Sequence, residues 1–134
     1  MTTWERVEAF VLTLPETTST PSYGGAPALR VNKKMFARLR GEMTDDLDAL
    51  TGAPYGEVLM VGVGDLAEKE AVLAADPRVY FTVPHYDGYP AVLVRLAGAD
   101  ETEVRELLVE AWMRAAPKRA LRAYEQTVGP LPGG

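Results

Sequence analysis

From Leu29 to Arg40 apolar residues alternate with basic or aromatic ones around Asn32-Lys33-Lys34. A period of two marks strands with one buried and one open face. A hairpin is therefore predicted. Its register is decisive, because a one-residue slip moves every side chain to the opposite side. A three-residue loop at Asn32–Lys34 pairs Val31 with Met35 and gives Leu29, Val31, Met35, Ala37 and Leu39 one face. Arg30, Phe36, Arg38 and Arg40 then share the other. A two-residue loop would mix the faces, so the longer loop is the expectation.

The remaining chain supplies helices and strands. Thr2 and Glu5 have capping-box spacing ahead of Trp4, Val7, Val11 and Leu14, and Pro15 marks the stop. Asp65 and Glu68 cap a helix through Ala75, which Asp76-Pro77 ends. Asp100 and Glu103 cap the longest helix, with Val104, Leu107, Leu108, Ala111, Trp112 and Ala115 as its apolar stripe. Pro117 opens a last segment, Lys118 to Gln126. Glu57–Val63, Val79–Val83 and Ala91–Ala97 read as strands, the last two flanking PHYDGYP with its Asp87-Gly88 turn pair. Glu16–Pro27 and the acidic Gly41–Gly56 connection read as loops. Clustered hairpins, rather than strict strand–helix alternation, predict an α+β two-layer fold. Its antiparallel sheet has about five strands, in the order α-β-β(-β)-α-β-β-α. One domain over residues 1–126 is expected, followed by a flexible tail at 127–134.

Several chemistries are excluded or disfavoured. The chain of 134 residues has no cysteine, which removes disulfides, zinc–thiolate sites and thiol catalysis. Its one histidine, His85, stands without a triad or an H-E-x-x-H helix. Gly62-Val-Gly64-Asp-Leu-Ala67 matches G-x-G-x-x-A, but no acid lies near the end of the next strand and the following units are hairpin-like. A tight strand–helix turn explains those glycines better than a dinucleotide. Asp45, Asp46 and Asp48 lack Ca²⁺-loop spacing. No enzyme activity, metal or cofactor is expected. The acidic start of the chain and the lack of an apolar run of ~20 residues point to a cytoplasmic protein without a membrane span.

Charge gives the candidate site. Nine of the fourteen basic residues lie in two acid-free stretches, 30–40 and 114–122, in a chain of net charge −5. Arg95 is out of phase with Val92, Val94 and Leu96, so Arg30, Arg38, Arg95 and Phe36 are expected on the sheet face that the helices leave open. Lys33, Lys34, Lys118 and Arg119 extend the positive charge, and His85, Tyr86 and Tyr89 place an imidazole and two phenols on one loop. Arginines beside an aromatic suit phosphate contact and base stacking. They suit a small anionic ligand or an acidic protein partner beside PHYDGYP equally well. The alternative is a solvated sheet face with cations near a helix end.

Further stretches carry a resemblance: Tyr23-Gly24, Pro27-Ala-Leu-Arg30-Val, Lys34-Met-Phe-Ala-Arg38-Leu, Ala75-Asp76-Pro77, the block from Pro84 to Leu96, Ala111-Trp112 and Ala116-Pro117-Lys118-Arg119. In order from about Trp4 to Tyr124, they resemble the MmcQ/YjbR family. The resemblance implies a CyaY-like, secretion-chaperone-like fold. It also implies a "double-wing" surface commonly labelled DNA-binding, in a family of largely unknown function. A fold does not fix function. DNA binding through the Arg-rich sheet face is the expected function, with a small anionic ligand or an acidic protein partner as the alternative. DNA binding requires both basic stretches to converge on one surface.

Overall fold

A computed structural model describes residues 2–21, 25–42 and 56–128. The acidic stretch Asp45–Asp48 and residues 129–134 of the expected 127–134 tail lie outside them, while Thr127 and Val128 instead belong to the last helix. Helix α1 (Trp4–Val11) is capped by Thr3, whose hydroxyl accepts from the Arg6 N–H at 3.3 Å. The expected cap, Thr2, is instead buried, and its N–H donates to the Leu96 carbonyl at 3.1 Å. Strands β1 (Thr17–Pro21), β2 (Pro27–Val31), β3 (Lys34–Glu42) and β4 (Glu57–Gly62) follow. Then come α2 (Leu66–Ala75), β5 (Tyr80–Phe81), β6 (Ala91–Arg95), α3 (Glu101–Ala115) and α4 (Lys118–Val128). The expected caps of α2 and α3 are present: Asp65 accepts from Glu68 N–H and Asp100 from Glu103 N–H.

All six strands pair antiparallel in the order β1-β2-β3-β4-β6-β5, so the fold is α+β. Strand β1 corrects the expectation of a loop after Glu16. Its Thr and Ser residues pair with β2 from Thr17↔Val31 to Pro21↔Pro27. Of the expected Val79–Val83 strand, Tyr80 and Phe81 pair with β6 and Val79 accepts the Arg95 N–H at 2.9 Å, while Val83 covers the sheet.

Each face of the sheet has its own core. On one, Leu29, Val31, Leu59, Val61, Val92 and Val94 pack with Val7, Val11, Leu108, Trp112 and Ala120 of α1, α3 and α4. On the other, Val58, Met60, Ala91 and Leu93 are covered by Val83 and Tyr86 from the loop before β6. Most of the stabilising apolar burial lies on the helical side.

Tyr80 is buried in the larger core. Burial pushes its phenol up to about 12 from an ordinary 10.0, helped by the carboxylates of Glu103, Asp76, Asp100 and Glu106. The folded state therefore holds the proton more tightly than the unfolded chain. This contribution is complete below the unfolded value of about 10 and is lost as pH rises toward about 12. Tyr80→Phe is expected to raise the midpoint of alkaline unfolding, followed by circular dichroism. An unchanged midpoint would remove this phenol as the cause.

Candidate functional site

The β2–β3 hairpin departs from the expected register. Its loop is two residues, Asn32 (φ 47°) and Lys33 (φ 71°), and it pairs Val31 with Lys34 and Arg30 with Met35. Two consecutive left-handed residues make a turn whose twist matches that of the strands, which is why short loops favour it. Left uncorrected, that register would turn Arg38 into the core. A bulge corrects it: the pairing resumes at Leu29↔Ala37, with Phe36 as the extra residue. Phe36 is consequently 5% exposed and packs with Ala37 in the helical core. It is not on the arginine face as expected. Met35, expected in the core, is 39% exposed.

Beyond the bulge Arg38 lies opposite Ala28 on one side and Met60 on the other. Its Nε is buried and finds no hydrogen-bond acceptor among the described residues. Arg40 occupies a second irregularity, between the pairs Leu39↔Leu59 and Gly41↔Val58, and its guanidinium lies 5.3 Å from the Tyr86 ring centre. Arg95 lies opposite Val58, with its guanidinium 5.9 Å from the centre of the Phe81 ring. Arg30 lies opposite Thr18. The register thus gathers Arg30, Arg38, Arg40 and Arg95 on the side away from α1, α3 and α4, with Phe81 and Tyr86 as the aromatic neighbours.

The loop from Val83 to Pro90 borders this side. Pro84–Tyr86 forms one 3₁₀ turn, and Tyr86 is packed against β4 and β6. Tyr89, 51% exposed, has its ring 6.1 Å from that of Tyr86. The His85 side chain lies outside the described residues. What fixes the loop is Lys69 of α2, which sequence reasoning passed over. It is 5% exposed, and its Nζ donates to the carbonyls of Tyr86 at 2.6 Å and Tyr89 at 2.8 Å. The signal was present: Lys69 stands between Leu66 and Leu73 at helical spacing, a position where a polar side chain needs partners. A groove of about 230 Å³ lies here, lined by Leu66, Lys69, Glu70, Leu73, Thr82, Asp87 and Gly88, with no arginine. A larger groove, of about 520 Å³, includes Arg30 and Lys33 at the hairpin tip.

The second basic stretch lies elsewhere. Ala120 of α4 is fully buried in the helical core, so Lys118, Arg119 and Arg122 belong to the helix layer. Arg119 grips Glu16 with two hydrogen bonds, 2.8 and 2.6 Å. Arg114 donates to the Gly62 carbonyl at 3.1 Å and lies 3.5 Å from Glu68. Glu68 also accepts from the Gly64 N–H at 2.9 Å. A carboxylate of the chain itself thus occupies the helix start at G-x-G-x-x-A, where a dinucleotide phosphate would sit. A Cβ on Gly64 would come within 2.6 Å of that carboxylate oxygen, which would have to swing aside and give up its bond to the Gly64 N–H. Among the described residues no group of three or more His, Asp or Glu could hold a metal ion. No described helix is long and apolar enough to cross a membrane.

Comparison with known proteins agrees with this architecture. Uncharacterised proteins of Mycobacterium tuberculosis (Rv2570) and Mycobacterium bovis (Mb2600) are each 41% identical over 128 residues, covering 92% of this chain and 96% of the relative. The crystal structure of Deinococcus radiodurans protein DR2400, of domain family DUF419, superposes with a TM-score of 0.66. At 20% identity, over 100% of this chain and 95% of that one, it supports the fold. The sequence profile of the YjbR family matches residues 12–114, and the chain belongs to that family.

Proposed function

We propose that this protein is a binding module whose arginine-bearing sheet side holds an acidic protein partner. The observation that carries this reading is Arg38, whose Nε is buried without an acceptor among the described residues. A buried donor without a partner is costly, and a carboxylate gripping the terminal N–H groups of the same guanidinium would offset that cost. Arg40 and Arg95, on either side of Val58, widen the positive field. Stacking on Tyr86 and Phe81 holds the planes of the two guanidinium groups.

Duplex DNA receives less support. Its footprint needs both basic stretches on one surface, but Arg114 and Arg119 are engaged with Glu68 and Glu16 in the helix layer. The net charge of −5 also opposes a general grip on phosphates.

Fluorescence anisotropy with a labelled Asp/Glu-rich peptide and a labelled DNA duplex tests the reading. Arg38→Ala is expected to cost about 2 kcal/mol of peptide affinity, roughly thirtyfold. Tight duplex binding with a steep salt dependence would favour DNA instead. Failure of both probes to bind at low salt would overturn the reading.

A further inference from the structure

We propose that the groove between the start of β1 and the β2–β3 turn binds a small phosphorylated polyol. This goes beyond the acidic-partner reading, which rests on Arg38, Arg40 and Arg95. The groove measures about 520 Å³ and is lined by Glu16, Thr18, Thr20, Arg30, Asn32 and Lys33. That volume is in the range of small-molecule sites.

Backbone conformation singles the groove out. Among the described residues, the non-glycine residues with positive φ are Glu16 (61°), Asn32 (47°) and Lys33 (71°). All three line this one groove. Asn tolerates that region, whereas Glu and Lys adopt it at a cost, and such conformations concentrate at functional sites. At the second position of this turn glycine is the usual choice. Lysine there sacrifices backbone ease and places an amine at the groove.

The lining chemistry selects the ligand class. Arg30 and Lys33 supply two cations for a phosphate dianion. Glu16 does not cancel them, because Arg119 already neutralises it through two short hydrogen bonds. Thr18 and Thr20, two residues apart on β1, share one side of the strand. Arg30 pairs with Thr18 across the strands and its Nε lies 3.4 Å from the Thr20 hydroxyl. Threonine hydroxyls, the Asn32 amide and the remaining lone pairs of Glu16 can meet several ligand hydroxyls, donors and acceptors alike. A bare anion would leave that half of the groove unused.

The test is an amide-shift titration of the full chain with inositol monophosphate, alongside inositol and inorganic phosphate. Saturable shifts are expected at Thr18, Thr20, Arg30 and Lys33, with inorganic phosphate roughly tenfold weaker and inositol weaker still. Lys33→Gly is expected to melt about 3 °C higher. The same variant should bind inositol monophosphate roughly tenfold more weakly. A purely structural lysine would give the first result without the second. Arg38→Ala should leave this titration unchanged, which separates it from the acidic-partner reading. Equal binding of inorganic phosphate and inositol monophosphate, shifts confined to other residues, or undiminished affinity in Lys33→Gly would each overturn the proposal.

Discussion

Replacing Trp112 with alanine is expected to destabilise the protein by about 4 kcal/mol, the range found when a large aromatic leaves a packed core. Trp112 is 0% exposed on α3, with its ring 5.1 Å from that of Tyr124 on α4. Its indole Nε1–H donates to the Pro15 carbonyl at 3.2 Å, in the segment that hands α1 on to β1. Alanine would leave a cavity between two helices and the sheet, and an unpaired carbonyl at a chain reversal. For a chain of this length the melting temperature should fall by about 12 °C. Trp112→Phe keeps much of the volume and loses only the donor, so about 1.5 kcal/mol is expected for it. Urea midpoints measure both. A cost for Trp112→Ala below that of Trp112→Phe would mean that Trp112 does not join these three elements.

The parts of this fold that were legible in the sequence are those set by neighbours in the chain. Asp65 with Glu68 and Asp100 with Glu103 cap helices over three residues, and no distant contact is needed to make them work. Thr2 and Glu5 have the same spacing, yet Thr2 is drawn into a backbone bond with Leu96 and the cap passes to Thr3. Strand β1 escaped for a related reason. Its Thr-Ser-Pro composition is that of a loop, and it becomes a strand by pairing with β2.

The candidate site was legible in composition and misjudged in geometry. Alternation grouped Arg30, Arg38 and Arg95 on one face, and they stay together there because the bulge at Phe36 offsets the shorter loop. It misplaced Phe36 and Met35. Asn32-Lys33 lacks the glycine that normally announces a two-residue turn, and nothing local marks Phe36 as a bulge. The placement of Lys118 and Arg119 in the helix layer, where Arg119 meets the hairpin-tip groove through Glu16, follows from the docking of α4 through Ala120. That is a tertiary fact with no signature in the spacing of charges.

Lys69→Met is the second large effect, and it ties the loop to the proposed binding side. Methionine fills much the same volume but donates nothing, so the carbonyls of Tyr86 and Tyr89 lose the bonds now made at 2.6 and 2.8 Å. Each carbonyl keeps one backbone donor, so the expected cost, about 3 kcal/mol, is that of losing two bonds to a charged amine. The loss should be local before it is global. The Tyr89 N–H donates to Tyr86 O and the Ala91 N–H to Tyr89 O, so these amides should exchange faster while those of α3 are protected much as before. Tyr86 covers Val58, Met60 and Leu93 and lies beneath the Arg40 guanidinium. Loosening the loop should therefore also weaken the acidic peptide, although Lys69 itself does not face it. Faster exchange with unaltered peptide affinity would confine Lys69 to stability. Unaltered exchange would show that the loop is held by its own 3₁₀ turn and the packing of Tyr86, with the amine a bystander.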